Sequence, residues 1–509
     1  MADADAFQPL PGMIAAHAAA QPQAPALIQD TQTLTYAALD ARMDRVAAAL
    51  QRDGVKPGEA IAICAGTSLD YAALFLGALR AGVAAAPIAP SSTPEAIAGM
   101  AADCGAALFF IDAEVAAALA PVRGQISARL IALDGGAHAR AFADWLAPEG
   151  AKPASAVLMP DMPFNIIYSS GTTGAPKGIV QSHGMRFGHI QRALAMGYGA
   201  GAVTLLSTPL YSNTTLVSFF PTLGLGGVAV LMKKFDAGQY LALAQQHRVT
   251  HTMLVPVQYS RLMAYADFDA YDLSSFQMKF CTSAPFSAAL KAEVLKRWPG
   301  GLVEYFGMTE GGGTCVLAAH MFPDKLHTVG MPAPGHDIRV IDEDGRELPR
   351  GEAGEIVGRS DLMMSGYHNR KEQTDAATWI SPEGLAFIRT GDVGRFDGDG
   401  FLELMDRKKD MIISGGFNIY PSDLEAVLCQ HPEVADAAVV GAPSAEWGET
   451  PVAFVVSRGA SAEEIRTFAN ARLGKTQRLA AIELIAELPR SHIGKILKRE
   501  LRDAYLAKR

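Results

Sequence analysis

What this chain lacks narrows its function before any motif is read. Its five cysteines (Cys64, Cys104, Cys281, Cys315 and Cys429) stand singly, with no CxxC among them. That excludes a disulfide framework, offers no zinc-ligand spacing and suits a reducing compartment. No long basic run occurs and the formal net charge is −9, so nucleic acid is not an expected partner. A basic start is also missing: the first residues carry Asp3 and Asp5, and no secretory signal is expected. Only Ala193–Met232 is free of charge for long enough to suggest a membrane span. Pro209, Ser212, Asn213, Thr214, Thr215 and Pro221 interrupt it, and it reads as strand, loop, helix and strand. No membrane span is expected, the ending Leu506–Arg509 is not a peroxisomal tripeptide, and the default location is the cytoplasm.

What is present points to an α/β protein. At 509 residues and 49% hydrophobic content the chain is too long for one core, so two or more domains are expected. Strand and helix signals alternate from the start. Leu34–Asp53 reads as an amphipathic helix capped by Thr35, Ala60–Cys64 as a buried strand, and Leu69–Arg80 as a helix. Val83–Pro87 and Ala107–Ile111 read as further strands. Such alternation implies parallel sheet covered by helices. His251–Leu254, Phe276–Cys281 and Val303–Phe306 continue the pattern, while Gly330–Gly358 changes to short strands with turns. Phe396–Phe401 reads as a hairpin, Met405–Asp410 as a charged break, and Pro421–Gln430 as a helix. Ser461 with Glu464 forms a capping box, and a tail helix is expected from Ile496 to near Leu506. Glu114–Pro160 carries no functional signal.

The stretch Tyr168–Gly178, YSSGTTGAPKG, follows the apolar run Phe164–Tyr168. Glycines let backbone N–H groups converge on an anion, hydroxyls add donors, and Lys177 adds charge. This suits a nucleotide's phosphates. It is not a Walker A loop, because Pro176 stands at the second glycine and Gly178 replaces the hydroxyl after the lysine. A solvent-facing loop of the same composition is the plainer alternative.

Four other segments carry chemistry. In FGMTE (Phe306–Glu310) the ring can lie on a purine and Glu310 can hold Mg2+, a hard cation that bridges phosphates; a solvated glutamate at a turn is the alternative. SAPF (Ser283–Phe286) has small residues that admit a flat base, and it also reads as a helix start capped by Ser287. RTGD (Arg389–Asp392) puts a carboxylate at a glycine turn, placed to accept ribose hydroxyls or to satisfy its own turn. PRSHIGKILK (Pro489–Lys498) offers Lys495, which composition alone leaves as a solvated lysine.

Together these strings resemble the adenylate-forming enzymes: acyl- and aryl-CoA synthetases, peptide-synthetase adenylation domains and luciferases. The likeness covers nearly the whole chain and is nearest to the acyl-CoA synthetases. It implies a large N-terminal domain of parallel sheets (1–405) with a β subdomain near 330–400, and a small mobile C-terminal α+β domain (406–509). Ser169, Ser170, Gly171, Thr172, Thr173, Gly174 and Lys177 would hold the phosphates. Ser283, Ala284, Pro285, Glu304, Tyr305, Phe306 and Gly307 would line the adenine, and Asp392 with Arg407 would take the ribose. Thr309 would sit near the phosphate, Glu310 at Mg2+, and Lys495 would be the catalytic lysine. Asp406 would be the hinge. Ser414, Gly415 and Gly416 would pass the pantetheine arm of CoA, and Trp447 would meet its adenine.

By position, Tyr211, Ser212, Thr215, Met308 and Gly313 would line the acid pocket, and the small residues Gly311–Thr314 suggest a roomy one. Two departures are visible. Phe306 replaces the family's usual Tyr, and Ser212 stands where many aryl-CoA ligases carry His. The implied reaction is ATP-dependent activation of a carboxylic acid and transfer to CoA. The chain closes soon after Lys495 and PLYSNTT (Pro209–Thr215) offers no acid for an amino group, which favours a non-amino substrate over the loading of a carrier protein. A non-catalytic nucleotide-binding protein would be expected to lose Lys495, Glu310 or Asp392, and all three are present. Nothing in the sequence argues against a homodimer.

Overall fold

The computed structural model describes residues 6–169, 176–407, 410–414, 417–444, 447–474, 477–491 and 494–508. They divide into two compact units. The larger comprises Met1–Leu326, Ala333–Asp337 and Arg359–Ile388; the other comprises His327–Pro332, Ile338–Gly358 and Arg389–Arg509.

Helix starts follow local rules. Thr35 caps helix Tyr36–Arg52 by accepting from the Ala38 N–H at 3.2 Å, and Asp236 caps Ala237–Gln246 through the Gln239 N–H at 2.8 Å. Each such cap is worth about 1 kcal/mol. Helix Tyr36–Arg52 turns Leu39, Met43, Val46 and Leu50 inward. It packs on helix Leu69–Arg80 at Gly77, where a Cβ would lie 2.5 Å from Val46 Cβ. Only glycine permits that approach.

The larger unit is built on two sheets. One runs Gly366–Tyr367, Lys177–Ser182, Pro163–Ser169, Ala84–Pro87, Ala60–Cys64, Leu108–Ile111, Arg129–Ala132, Arg140–Ala141. The other includes, in order, Thr314–Ala318, Gly301–Gly307, Met278–Cys281, His251–Leu254, Val203–Leu206, Val228–Leu231 and Pro25–Gln29. Both are mainly parallel, and both turn antiparallel toward one edge: Pro163–Ser169 pairs with Lys177–Ser182, and Gly301–Gly307 with Thr314–Ala318. Phe75, Phe164 and Phe220 pack between the helices and the first sheet, with centroids 5.5 Å (Phe75–Phe220) and 4.9 Å (Phe164–Phe220) apart. This seats helix Asn213–Gly224 against strand Pro163–Ser169. No described helix is long and apolar enough to cross a membrane.

In the other unit, Asp392–Phe396 of strand Ala386–Phe396 pair antiparallel with Leu402–Arg407, and the turn is closed by the Asp397 N–H to the Phe401 carbonyl at 2.9 Å. The last hundred residues form a sheet of Phe417–Ile419, Ile412–Ser414, Gly448–Ser457 and Val434–Ser444, with Ala481–Leu484 parallel to Gly448–Ser457. Helices Pro421–Leu428 and Ala462–Asn470 bury Leu424, Leu428, Ile465 and Ala469 on one side, and helix Lys498–Ala507 buries Leu501 and Tyr505 on the other. The capping box of Ser461 and Glu464 forms.

Three expectations are corrected. MDRKKD is not a break from its first residue: Met405–Arg407 complete a strand, because Ala386–Phe396 supplies ladder partners up to Arg407. RTGD is not a tight turn: it lies inside Ala386–Phe396, which accommodates Gly391 at φ +70°. The tail helix begins at Lys498, since Ile496 is held in a bridge to Arg490.

Candidate active site

The two antiparallel hairpins carry the two central motifs of the larger unit. Strand Pro163–Ser169 leads into the expected phosphate loop and Lys177–Ser182 leads out, with Ser169 opposite Lys177. Ser170, Gly171, Thr172, Thr173 and Gly174, and the side chain of Ser169, lie outside the described residues. Before the loop, the Tyr168 hydroxyl donates to Asp103 at 2.8 Å. After it, the Lys177 ammonium lies 5.0 Å from the centroid of the Tyr367 ring. A Cβ at Gly178 would lie 2.8 Å from Ile166 Cγ2, so this glycine serves strand packing.

FGMTEGGG bridges the second hairpin, with Gly307 opposite Thr314. The loop is clamped from several directions. Gln181 Nε2 donates to the Thr309 carbonyl at 2.7 Å, and the Met364 N–H donates to that of Glu310 at 2.8 Å. Ser360 Oγ donates to the Gly311 carbonyl at 3.0 Å. Glu310 is 9% exposed, and its Oε1 accepts from the Tyr367 hydroxyl at 2.9 Å. Burial first, and then the Glu310 carboxylate, push the pKa of that hydroxyl up, so it stays a donor. Tyr367 thus meets both the phosphate-loop lysine and the expected metal ligand. Phe306, Met308 and Thr309 are half-buried and Gly307 is exposed.

Two further segments join each other through hydroxyls. Ser283 adopts φ +82°, a conformation rare for a residue with a side chain, and its Oγ lies 2.7 Å from Thr214 Oγ1. SAPF and the helix start after PLYS therefore touch. Ala284 is half-buried, Pro285 is exposed, and Ser287 caps helix Ala288–Arg297. Tyr211 is half-buried and Ser212 is 6% exposed, directly before helix Asn213–Gly224.

Three assignments in this unit change. Glu304 commits its carboxylate to Lys291 of helix Ala288–Arg297 and is 4% exposed, so its side chain is not offered to adenine. Burial raises its pKa to about 7, with Lys291 opposing. Thr215 is fully buried; its hydroxyl donates to the Pro209 carbonyl at 2.6 Å and meets Thr208 Oγ1 at 2.7 Å, so it shapes the loop instead of lining a pocket. Gly311 does not make room: at φ +74° a Cβ there would lie 2.0 Å from the Leu362 carbonyl oxygen. Gly313 is buried at φ +110°.

In the second unit the strand register puts Asp392 opposite Arg407, so the two residues expected at the ribose face one another across a ladder. Asp392 is half-buried and its N–H donates to Thr390 Oγ1 at 3.0 Å. The side chains of Asp406 and Arg407 lie outside the described residues, as do Gly415 and Gly416. Ser414 is 4% exposed and pairs with Gly448, next to Trp447. Trp447 is 41% exposed. The two segments expected at CoA are therefore adjacent. Lys495 is half-buried on a small turn: Ser491 N–H donates to the Lys495 carbonyl at 2.7 Å, and Gly494 takes φ +77°.

Sequence reasoning missed Tyr367, Gln181, Asn165 and Arg186. Two of them had a signal: Asn165 and Gln181 are amides inside otherwise apolar strand runs, and both are fully buried. Among the described residues no group of three or more His, Cys, Asp or Glu could form an all-protein metal cage.

Comparison with known protein families identifies the class to which this fold belongs. The AMP-binding enzyme model matches residues 14–368, and the AMP-binding enzyme C-terminal domain model matches residues 423–495. The chain belongs to this family of adenylate-forming enzymes. It is 32% identical to the fatty acid–[acyl-carrier-protein] ligase ScoC of Streptomyces coeruleorubidus, over 96% of this chain and 95% of the relative. It is also 32% identical to a feruloyl-CoA synthase from an Amycolatopsis species, over 94% and 96%. The solved amide bond synthetase McbA of Marinactinospora thermotolerans superposes with a TM-score of 0.86 at 28% identity, covering 98% of this chain and all of that one.

Proposed function

We propose that the chain is an AMP- and pyrophosphate-forming ligase that joins a non-amino carboxylic acid to CoA. The observation that carries this reading is the convergence of Lys177 and Glu310 on Tyr367 at the ends of two hairpins. A carboxylate oxygen attacks the α-phosphorus of ATP, the bond to the pyrophosphate oxygen breaks, and an acyl-adenylate forms. The CoA thiolate then attacks the acyl carbon and AMP leaves.

Catalysis here is positioning and charge neutralisation. Lys177 addresses the outer phosphates, Thr309 the α-phosphate, and Asp392 with Arg407 the ribose. Lys495 offsets the charge that builds on phosphorus in the first step. Ser414, Gly415, Gly416 and Trp447 serve CoA in the second, and Asp406 is the pivot that exchanges the two sets. Glu310, a buried oxygen donor oriented by Tyr367, fits a Mg2+ held mostly by substrate phosphates, which would supply charge neutralisation there. Tyr211, Ser212, Met308 and Gly313 are assigned to the acid. The absence of a charged residue among them suits an aryl, aryl-alkyl or longer acyl chain. Action in the cytoplasm belongs to the same reading.

Acid-dependent pyrophosphate release, measured over a panel of aromatic and fatty acids with and without CoA, tests it. At least one acid should trigger release, and CoA should convert that acid to its thioester. Phosphate release independent of acid would contradict the reading. A second acceptor, a carrier-protein thiol, is favoured by the similarity to the Streptomyces coeruleorubidus ligase. Mass spectrometry of acyl-CoA against acylated carrier separates the two.

A further inference from the structure

One buried charge has no part in this mechanism. Arg186 is 1% exposed, yet among the described residues no carboxylate bonds it. A charge so placed is costly unless its neighbours satisfy it. Its neighbours are amides and rings. Nε donates to Asn165 Oδ1 at 3.0 Å, and Nη2 donates to Gln181 Oε1 and, at 2.8 Å, to Asn213 Oδ1. The rings of Phe164 and Phe220 lie 5.9 and 5.3 Å away. Nη1 has no hydrogen-bond partner among the described residues.

The bonds run in one direction. A guanidinium can only donate, so Gln181 must turn its oxygen toward Arg186. Asn165 Nδ2 donates to the same oxygen at 2.9 Å. The Gln181 nitrogen is thereby aimed away, and it donates to the Thr309 carbonyl at 2.7 Å. Three segments bond this cation directly, namely the strand entering the expected phosphate loop (Asn165), the strand leaving it (Gln181) and the first residue of the helix after PLYS (Asn213), and a fourth, the Thr309–Glu310 turn, is reached through Gln181. A lysine could not reproduce this, because its ammonium lacks the planar fork.

We propose that Arg186 is a positioning residue of the adenylation step, which holds the two strands flanking the phosphate loop, the start of helix Asn213–Gly224 and, through Gln181, the Thr309 carbonyl in one fixed arrangement. The proposal rests on the ligase reading above. It differs from a packing role in its prediction: damage falls on one half-reaction.

The test compares pyrophosphate release, with ATP, Mg2+ and an accepted acid, against thioester formation from the preformed acyl-adenylate of that acid. In Gln181→Leu, kcat for pyrophosphate release is expected to fall about 30- to 100-fold, with KM for ATP within about threefold of wild type. Arg186→Lys should fall comparably despite keeping its charge. The double variant Gln181→Leu/Arg186→Leu should lose no more than about threefold beyond the worse single variant, because both act through one chain of bonds. Thioester formation should change by less than about threefold in all of them. A folded Gln181→Leu that releases pyrophosphate at the wild-type rate overturns the proposal, and so does an equal loss in both half-reactions. Should Gln181→Leu fail to fold, Asn213→Ala removes a single arm and must still slow adenylation selectively; a wild-type rate there overturns the proposal too. A wild type that releases no acid-dependent pyrophosphate removes the ligase reading and this role with it, whereas an active wild type matched by its variants removes this role alone.

Discussion

The two units hold their candidate residues in opposite ways. In the larger one the Thr309–Gly311 turn is bonded by Gln181, Met364, Ser360 and Tyr367, and Glu310 is nearly buried. In the other, Trp447 is 41% exposed and Lys495 sits on a turn closed by Ser491 and Gly494. Clamped groups suit the adenylation step, in which phosphates must be held still while charge builds on phosphorus. Groups on short turns suit residues that enter the site in one step and leave it in the other. The contrast is therefore functional under the proposed mechanism, and it can be broken by substitution.

The largest effect is expected at Lys495. Lys495→Ala should slow acid-dependent pyrophosphate release by about 10²- to 10³-fold. Thioester formation from preformed acyl-adenylate should stay near the wild-type rate. Equal loss in both steps would erase the distinction between the two kinds of site.

Gly311→Ala attacks the clamped side. With the Leu362 carbonyl 2.0 Å from the new Cβ and φ at +74°, the turn must shift, at a cost of roughly 2–3 kcal/mol. A lowered denaturation midpoint together with weakened adenylation is the expected pair of results. An unchanged midpoint would mean the turn is looser than its bonds imply.

How far such features can be read in advance depends on sequence distance. Thr35, Asp236, Ser287 and the Ser461–Glu464 box announce their helices because a cap acts within three residues. YSSGTTGAPKG, FGMTE and the Lys495 segment stand out as strings, which is why candidate residues could be named from them. The clamps could not. Tyr367 meets Glu310 across 57 residues and Gln181 meets Thr309 across 128. RTGD was expected as a turn because Gly391 signals one locally; the ladder to Leu402–Arg407 decides otherwise. Gly311 looks like open space in the sequence and becomes a contact only once Leu362 is placed beside it.

A smaller effect sharpens the account of the larger unit's interior. His183 is 2% exposed, its ring nitrogens lack hydrogen-bond partners among the described residues, and burial lowers its pKa to about 4. The unfolded chain takes up this proton near pH 6.5, while the folded chain resists until about 4. Stability present above pH 6.5 is therefore lost as pH falls toward 4, by roughly 3 kcal/mol in total. His183→Phe should reduce the drop in urea midpoint between pH 7.5 and 5. An unchanged drop would show that other groups carry the acid sensitivity.

The smallest effect is expected on the exposed side. Trp447→Ala should raise KM for CoA about three- to tenfold, the scale of one lost aromatic contact, and leave pyrophosphate release unchanged. An effect on pyrophosphate release instead would place Trp447 in the first step.

The most direct measurement follows an oxygen. With an accepted acid labelled with 18O in its carboxylate, attack on the α-phosphorus and later cleavage at the acyl carbon must leave one 18O in the AMP and none in the pyrophosphate. Unlabelled AMP, or label in inorganic phosphate beside ADP, would contradict activation through an acyl-adenylate.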